Sequence, residues 1–280
     1  MTDAKQLASA ERAALIAPAG YGKTHMIAEA VANHSKGKQL ILTHTHAGVD
    51  ALRKKLRLLG ASSSSFHVET IAGWALKYAA SYPMLSSLDI QKPRAQDWNL
   101  VYPAARIVIA DTPVTSVVSR TYAGVYVDEY QDCTIDQHDL ILALADILPC
   151  RILGDPLQGI FDFKGMKPVN WVDHVDSNFE SLQELEYPWR WKDKNVALGE
   201  WLKEVRQKLL SREPIDLAAT PSRSMDYYEL KTPEDQRKAG WKLVGRCKKE
   251  TGIVIFNREQ VNHCAKYVNV KSPGWFSCIE

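Results

Sequence analysis

Residues 17–24 read Ala-Pro-Ala-Gly-Tyr-Gly-Lys-Thr. They follow an apolar run, Ala13 to Ile16, that reads as a strand. They open a helical pattern from about Lys23 to His34. Strand, glycine-rich turn and helix is the context a phosphate-binding loop requires. Gly20 and Gly22 let backbone amides point at phosphate oxygens, and the helix N-terminus adds its positive dipole end. Ala19 and Tyr21 complete the loop. Lys23 is placed to reach β- and γ-phosphates, and the Thr24 hydroxyl to ligand Mg²⁺. The expected cofactors are therefore ATP and Mg²⁺. The expected fold is an α/β P-loop architecture with a mostly parallel sheet flanked by helices.

Outward from that loop, short apolar runs alternate with helical patterns. Gln39 to Thr43, Val125 to Val127 and Arg151 to Leu153 read as strands. Val49 to Leu59 is an amphipathic helix with Val49, Leu52, Leu56 and Leu59 on one face. Its basic side reads as a solvated face. Ile135 to Ile147 and Asn195 to Leu210 read as helices. Ser81 to Asp97, with Pro83 and Pro93, reads as a loop or small insertion. A boundary is expected near Ser211 to Ser224. This divides the chain into a first domain over 1–212 and the start of a second over 213–280, including a strand from Ile253 to Phe256.

Two acidic or polar strand ends add chemistry. Val127-Asp128-Glu129-Tyr130-Gln131-Asp132 places one carboxylate, Asp128, near the P-loop Mg²⁺ and a second, Glu129, where it can deprotonate water. Leu153-Gly154-Asp155-Pro156-Leu157-Gln158 offers Gln158 to a γ-phosphate. The run then continues through Phe161, Phe163 and Lys164. These read either as a base-stacking ledge with a phosphate contact or as two core phenylalanines.

Composition sets limits. The 280 residues are 45% apolar and 24% charged, which excludes a disordered or collagen-like chain and gives a length prior of about two domains. A net charge of +2 excludes polycation-style nucleic-acid binding but not a local groove. The five cysteines form no C-x-x-C pair, so neither a disulfide framework nor a zinc ribbon is expected. The first residues hold no apolar signal core, and no run is long enough to span a membrane. A reducing cytosol is the expected compartment. Of the eight tryptophans, Trp74, Trp98, Trp171, Trp201, Trp241 and Trp275 read as core or interface fillers.

Taken together, the motifs resemble superfamily 1 helicases of the UvrD, PcrA and Rep type. APAGYGKT is similar to AGAGSGKT, LTHTHA to V-T-F-T-N-K, ETIAG to T-F-H-G, and VDEYQDCT to VDEFQDTN. GDPLQGIFDFKG is similar to GDDDQSIYGWRGA, LEYPWR to L-x-x-N-Y-R, and IVIFNR to the opening strand of the second motor domain.

The resemblance implies roles. Glu129 is the catalytic base, Gln158 and Arg190 contact the γ-phosphate, and Trp189 lies against the adenine. His25 stands where the family has an arginine near that base, and Gln6 where it has an adenine-reading glutamine. Thr43, His44, Thr45 and Thr70, with Phe161, Phe163 and Lys164, match single-stranded DNA contacts.

Departures are His44 for a stacking phenylalanine, Ala72 for a histidine and Pro188 for an asparagine. The resemblance makes 1–212 a RecA-like motor domain and 213–280 the beginning of a second; the stretch from Gly73 to Asp128 is short for that family's inserted subdomain, which implies a reduced insertion around 75–122. The later motifs, including a second arginine finger, are not found. Slow hydrolysis by this chain is therefore expected. The resemblance extends to the helicase-like component of anti-phage systems such as Gabija, which works beside a nuclease; that step is fold-level analogy. The rival reading is a nucleotide-gated subunit that binds ATP and DNA and switches such a partner. A small-molecule kinase would not account for D-E-x-Q-D or G-D-x-x-Q.

Overall fold

The computed structural model describes residues 2–90, 92–94, 97–159 and 167–221, and beyond them 231–235, 237–239 and 242. The chain divides into two compact units, Met1–Glu200 and Trp201–Glu280. In the second, described residues include the end of a helix reaching Ser211, a short turn at Leu217–Ala219, and Thr232 with Asp235. Thr232 donates its hydroxyl to the Asp235 carboxylate at 2.7 Å. The expected strand Ile253 to Phe256, together with Trp241 and Trp275, lies outside the described residues.

The first unit is built on strands β1 (Arg12–Ile16), β2 (Gln39–Thr43), β3 (Phe66–Thr70), β4 (Gly124–Val127), β5 (Cys150–Gly154) and β6 (Glu180–Leu182), in the sheet order β3-β2-β4-β5-β1-β6. Every pairing among them is parallel. β2, β4 and β5 are buried along their whole length, as continuous apolar strands covered on both faces must be.

Alternate residues of each strand enter opposite cores. Leu15, Ile41, Tyr126 and Leu153 pack with helices α1 (Ala4–Ser9), α2 (Lys23–Glu29) and α3 (His46–Leu58). Leu40, Leu42, Val125, Val127 and Ile152 pack with α4 (Ile71–Ser81), α6 (Trp98–Ala110), α7 (Thr112–Thr121) and α8 (Ile135–Ala145). The short α5 (Pro83–Ser86) links α4 to α6.

The α/β class and the parallel sheet are as the sequence predicts. The P-loop helix departs from its expected form: α2 ends at Glu29, and Ala30–His34 continues as a wider π-type turn. The stretch Ser81 to Asp97, expected as a loop or small insertion, contains α5. Trp74 and Trp171 are buried, as core fillers should be.

A parallel sheet sends the carboxyl ends of all its strands to one edge. That edge emits the P-loop after β1, Thr43 to His46 after β2, Thr70 after β3, Asp128 and Glu129 after β4, and Asp155 to Gln158 after β5. β5 lies between β1 and β4, so its loop stands between the P-loop and the acids.

At the opposite edge Arg151, buried in β5, fastens the sheet to the end of α1. Its Nε donates to Ala10 O and its Nη2 to Ala8 O, both at 2.6 Å, while the guanidinium lies 5.3 Å from the Tyr126 ring. Arg151→Ala is expected to lower the unfolding free energy by about 3 kcal/mol, because two charge-assisted bonds vanish and buried carbonyls lose their donor. Denaturant melts at constant slope measure this, and a shift near zero would refute the tether.

Candidate active site

The P-loop is shaped by two glycines and two backbone bonds. Gly20 has φ +82° and Gly22 φ +95°, the left-handed region that favours glycine. Ala17 N donates to Gly154 O at 2.9 Å, and Tyr21 N to Pro18 O at 3.1 Å. Gly22 is the N-cap of α2, and no side chain caps that helix. Its first amides lack intrahelical partners, so an anion can use them. Lys23 is only 6% exposed; its Nζ donates to Ala17 O at 2.9 Å and lies 3.2 Å from Glu129 Oε2.

β4 delivers the acids. Asp128 is buried; its Oδ1 accepts from Glu129 N at 3.0 Å and its Oδ2 from the Thr24 hydroxyl at 3.3 Å. Glu129 adopts φ 55° and ψ 46°, a left-handed conformation rare outside glycine. Gln131 Nε2 donates to Glu129 Oε2 at 2.8 Å.

Burial, then the Glu129 charge, pushes the Asp128 carboxyl up to about 7 despite Lys23 nearby. Burial and Glu129 likewise raise Asp132 to about 6. One Asp132 oxygen is buried without a hydrogen-bond partner. The pocket is short of positive charge, and its donors are hard oxygens. Thr24 and Asp128 fit a magnesium ion, which prefers such ligands.

A cleft of about 800 Å³ brings the predicted groups together. It is lined by Pro18, Ala19, Gly20, Gly22, Lys23, Thr24, His25, Ala51, Lys55, Glu129, Gln158, Trp189 and Arg190. Gln158 donates to Asp155 Oδ2 at 2.6 Å. Arg190 N donates to Gly20 O at 2.9 Å, laying the 189–191 turn across the P-loop. Trp189 is 55% exposed and packs edge-on to Tyr187 at 4.6 Å. His25 lies 3.4 Å from Glu29.

Ala51 and Lys55 were not singled out from the sequence. They stand one turn apart on α3, and their turn toward the cleft follows from the packing of α3 beside α2. Lys55 belongs to the basic side that reads as a solvated face.

Other predicted residues lie elsewhere. Gln6 is exposed and closes a capping box with Asp3, accepting from Asp3 N at 3.0 Å; it is not among the cleft residues. The Tyr21 side chain is buried in the core with Leu15 and Ile27. Thr45 and Thr70 are the N-caps of α3 and α4, accepting from Gly48 N at 3.0 Å and Gly73 N at 2.9 Å. Thr43 is buried. His44 Nε2 lies 3.7 Å from the buried Cys133 Sγ, and burial lowers its pKa to about 4, so it is neutral. Phe161, Phe163 and Lys164 lie outside the described residues.

Residues 86–178 match the model of the UvrD/REP helicase N-terminal domain. Over that stretch the chain is similar to that domain. The matched stretch holds Asp128, Glu129, Gln131 and Gln158. The chain is also similar to Gabija protein GajB of Bacillus cereus (strain VD045), at 33% identity over 89 residues, covering 25% of this chain and 18% of that one. It thus spans less than a fifth of that relative's length.

Among solved structures, Pif1 helicase from Bacteroides in complex with ADP-AlF3 and ssDNA aligns over 89% of this chain and 58% of that one, at 13% identity and a TM-score of 0.39. Arterivirus nonstructural protein 10 (helicase) with DNA aligns over 66% and 38%, at 16% identity and a TM-score of 0.34. Among the described residues no helix is long and apolar enough to cross a membrane.

The Asp128 carboxyl makes stability pH-dependent. It binds its proton more tightly folded, at about 7, than an ordinary aspartate does at 3.8. Its favourable contribution is present below that lower value and is lost as pH rises through about 7. Asp128→Asn is therefore expected to raise Tm at pH 8, with the gain shrinking toward pH 4. Magnesium should stabilise the parent protein and not the variant. Thermal melts across pH, with and without the metal, check both; a pH-independent difference would overturn the assignment.

Proposed function

We propose that this chain carries the ATP- and Mg²⁺-dependent motor site of a UvrD-like DNA helicase or translocase, acting on single-stranded DNA. One observation carries the reading. Lys23, Thr24, Glu129, Gln158, Trp189 and Arg190 come from four separate stretches of sequence and line one cleft.

In this reading the P-loop amides and Lys23 bind the β- and γ-phosphates. Thr24 and Asp128 hold magnesium, which supplies Lewis-acid polarisation of the phosphates when bound. Glu129 accepts a proton from the attacking water. Gln158 contacts the γ-phosphate, and Arg190 offsets the charge that develops there. Trp189 offers its exposed face to the base. Thr45 and Thr70 each keep a hydroxyl proton to donate toward a nucleic-acid backbone at the carboxyl edge. A protein partner such as a nuclease, and a role in phage defence, belong to the same proposal by likeness to the Gabija relative.

The test is ATP hydrolysis by the 280-residue chain, with and without single-stranded DNA. Lys23→Ala is expected to abolish nucleotide binding. Glu129→Gln is expected to leave binding intact and lower turnover by about 10²- to 10⁴-fold, the usual contribution of a general base. DNA-stimulated turnover lost in Glu129→Gln supports the motor. Binding without turnover in the parent chain favours the nucleotide-gated subunit, and turnover stimulated by a nucleoside instead of DNA defeats both.

A further inference from the structure

Gln131 has no role in the foregoing chemistry, yet it is 7% exposed and both ends of its amide are engaged. Nε2 donates to Glu129 Oε2 at 2.8 Å, and Oε1 accepts from Asp155 N at 2.9 Å. The neighbours dictate this orientation. A flipped amide would set its NH₂ against the Asp155 N–H and its oxygen against the Glu129 carboxylate. Asp155 is itself buried at 1% exposure and accepts from Gln158 at 2.6 Å. A continuous chain of hydrogen bonds therefore runs from the Glu129 carboxylate through Gln131 and Asp155 to Gln158.

We infer that Gln131 is a positioning residue, which holds the Glu129 carboxylate and ties it to the loop carrying Gln158. This rests on the reading of Glu129 as the base.

Three observations support it. Glu129 sits at φ 55°, a strained backbone state for a residue with a side chain, which persists only when its surroundings hold it. Lys23 shares the same carboxylate oxygen, at 3.2 Å. A lysine that turns to phosphate gives up that contact, and Gln131 then retains the acid. Finally, the space Gln131 occupies depends on Gly154. A Cβ there would lie 2.7 Å from Gln131 Oε1 and 2.9 Å from Trp171 Cζ3. The end of β5 is kept bare where the amide passes.

The test compares Gln131→Met, which removes both bonds at similar volume, with Glu129→Gln and the double variant in the full chain. Gln131→Met is expected to bind a fluorescent ATP analogue with magnesium as the parent does, at unchanged KM. Its kcat should fall on the order of 10²-fold, the scale of a misplaced catalytic group. Added to Glu129→Gln it should cost nothing more, because Gln131 acts through that carboxylate. Losses that multiply, a raised KM with kcat kept, or parent-like turnover would overturn the inference.

A second readout needs no turnover. Glu129→Ala should move the Asp155 backbone amide resonance in the parent chain and leave it in place in the Gln131→Met background. A parent that binds nucleotide without hydrolysing it sinks the motor reading alone, and the resonance then decides the case of Gln131: transmission supports the inference, and its absence overturns it.

Discussion

A buried ammonium must be paired, and the carboxyl edge of this sheet is organised around one. Lys23 is held by the Ala17 carbonyl and the Glu129 carboxylate. That pairing needs β1 and β4 to end at the same height with a single strand between them, which the β4-β5-β1 order supplies. The balance of charge is uneven. One lysine faces Asp128, Glu129 and Asp132, and burial, then the Glu129 charge, raises the pKa values of Asp128 and Asp132 despite it. Such a site is unfavourable when empty and gains from a cation. A fold tolerates it because two cores close on either face of the sheet and carry the stability.

The larger of those cores draws heavily on the helices between β3 and β4. Trp74 and Ala75 of α4 and Val101, Ala105 and Val108 of α6 are fully buried against the sheet. The expected reduced insertion around 75–122 thus includes a packed helical layer over one face. Its last helix leads into β4, so the layer that covers the sheet also feeds the strand that delivers Asp128 and Glu129.

Much of this was legible in the sequence, because the informative elements are local. β1, β2, β4, β5 and α3 announce themselves as apolar runs or a 3.6-residue stripe, and the P-loop glycines sit where positive φ is needed. β3 was not singled out: in Phe66 to Thr70 only Val68 and Thr70 are buried, as befits an edge strand, so the apolar signal is thin. α6 hides for the opposite reason. Pro103 stands inside it, and its exposed face carries Leu100 and Ile107, so no polar stripe marks it. In the site, side chains adjacent to a motif were found and those brought in by packing were not. Lys55 reaches the cleft only because α3 lies beside α2. Gln131 stands inside the quoted acidic motif, but its partners come from residues before and after it in space.

The 189–191 turn shows how tightly the cleft is joined. A Cβ on Gly20 would lie 2.9 Å from Arg190 Cβ, and one on Gly22 would lie 3.3 Å from Trp189 Cδ1. The two glycines thus serve twice. Their left-handed backbone shapes the phosphate loop, and their missing side chains admit the turn that bears the aromatic and the arginine. Because Arg190 N is bonded to Gly20 O, any displacement of the loop is passed directly to that turn. In the same way, the contact between Lys23 and Glu129 passes any movement of the lysine to the acid. In the proposed motor, phosphate entry would therefore act on both walls of the cleft through bonds made by the P-loop itself.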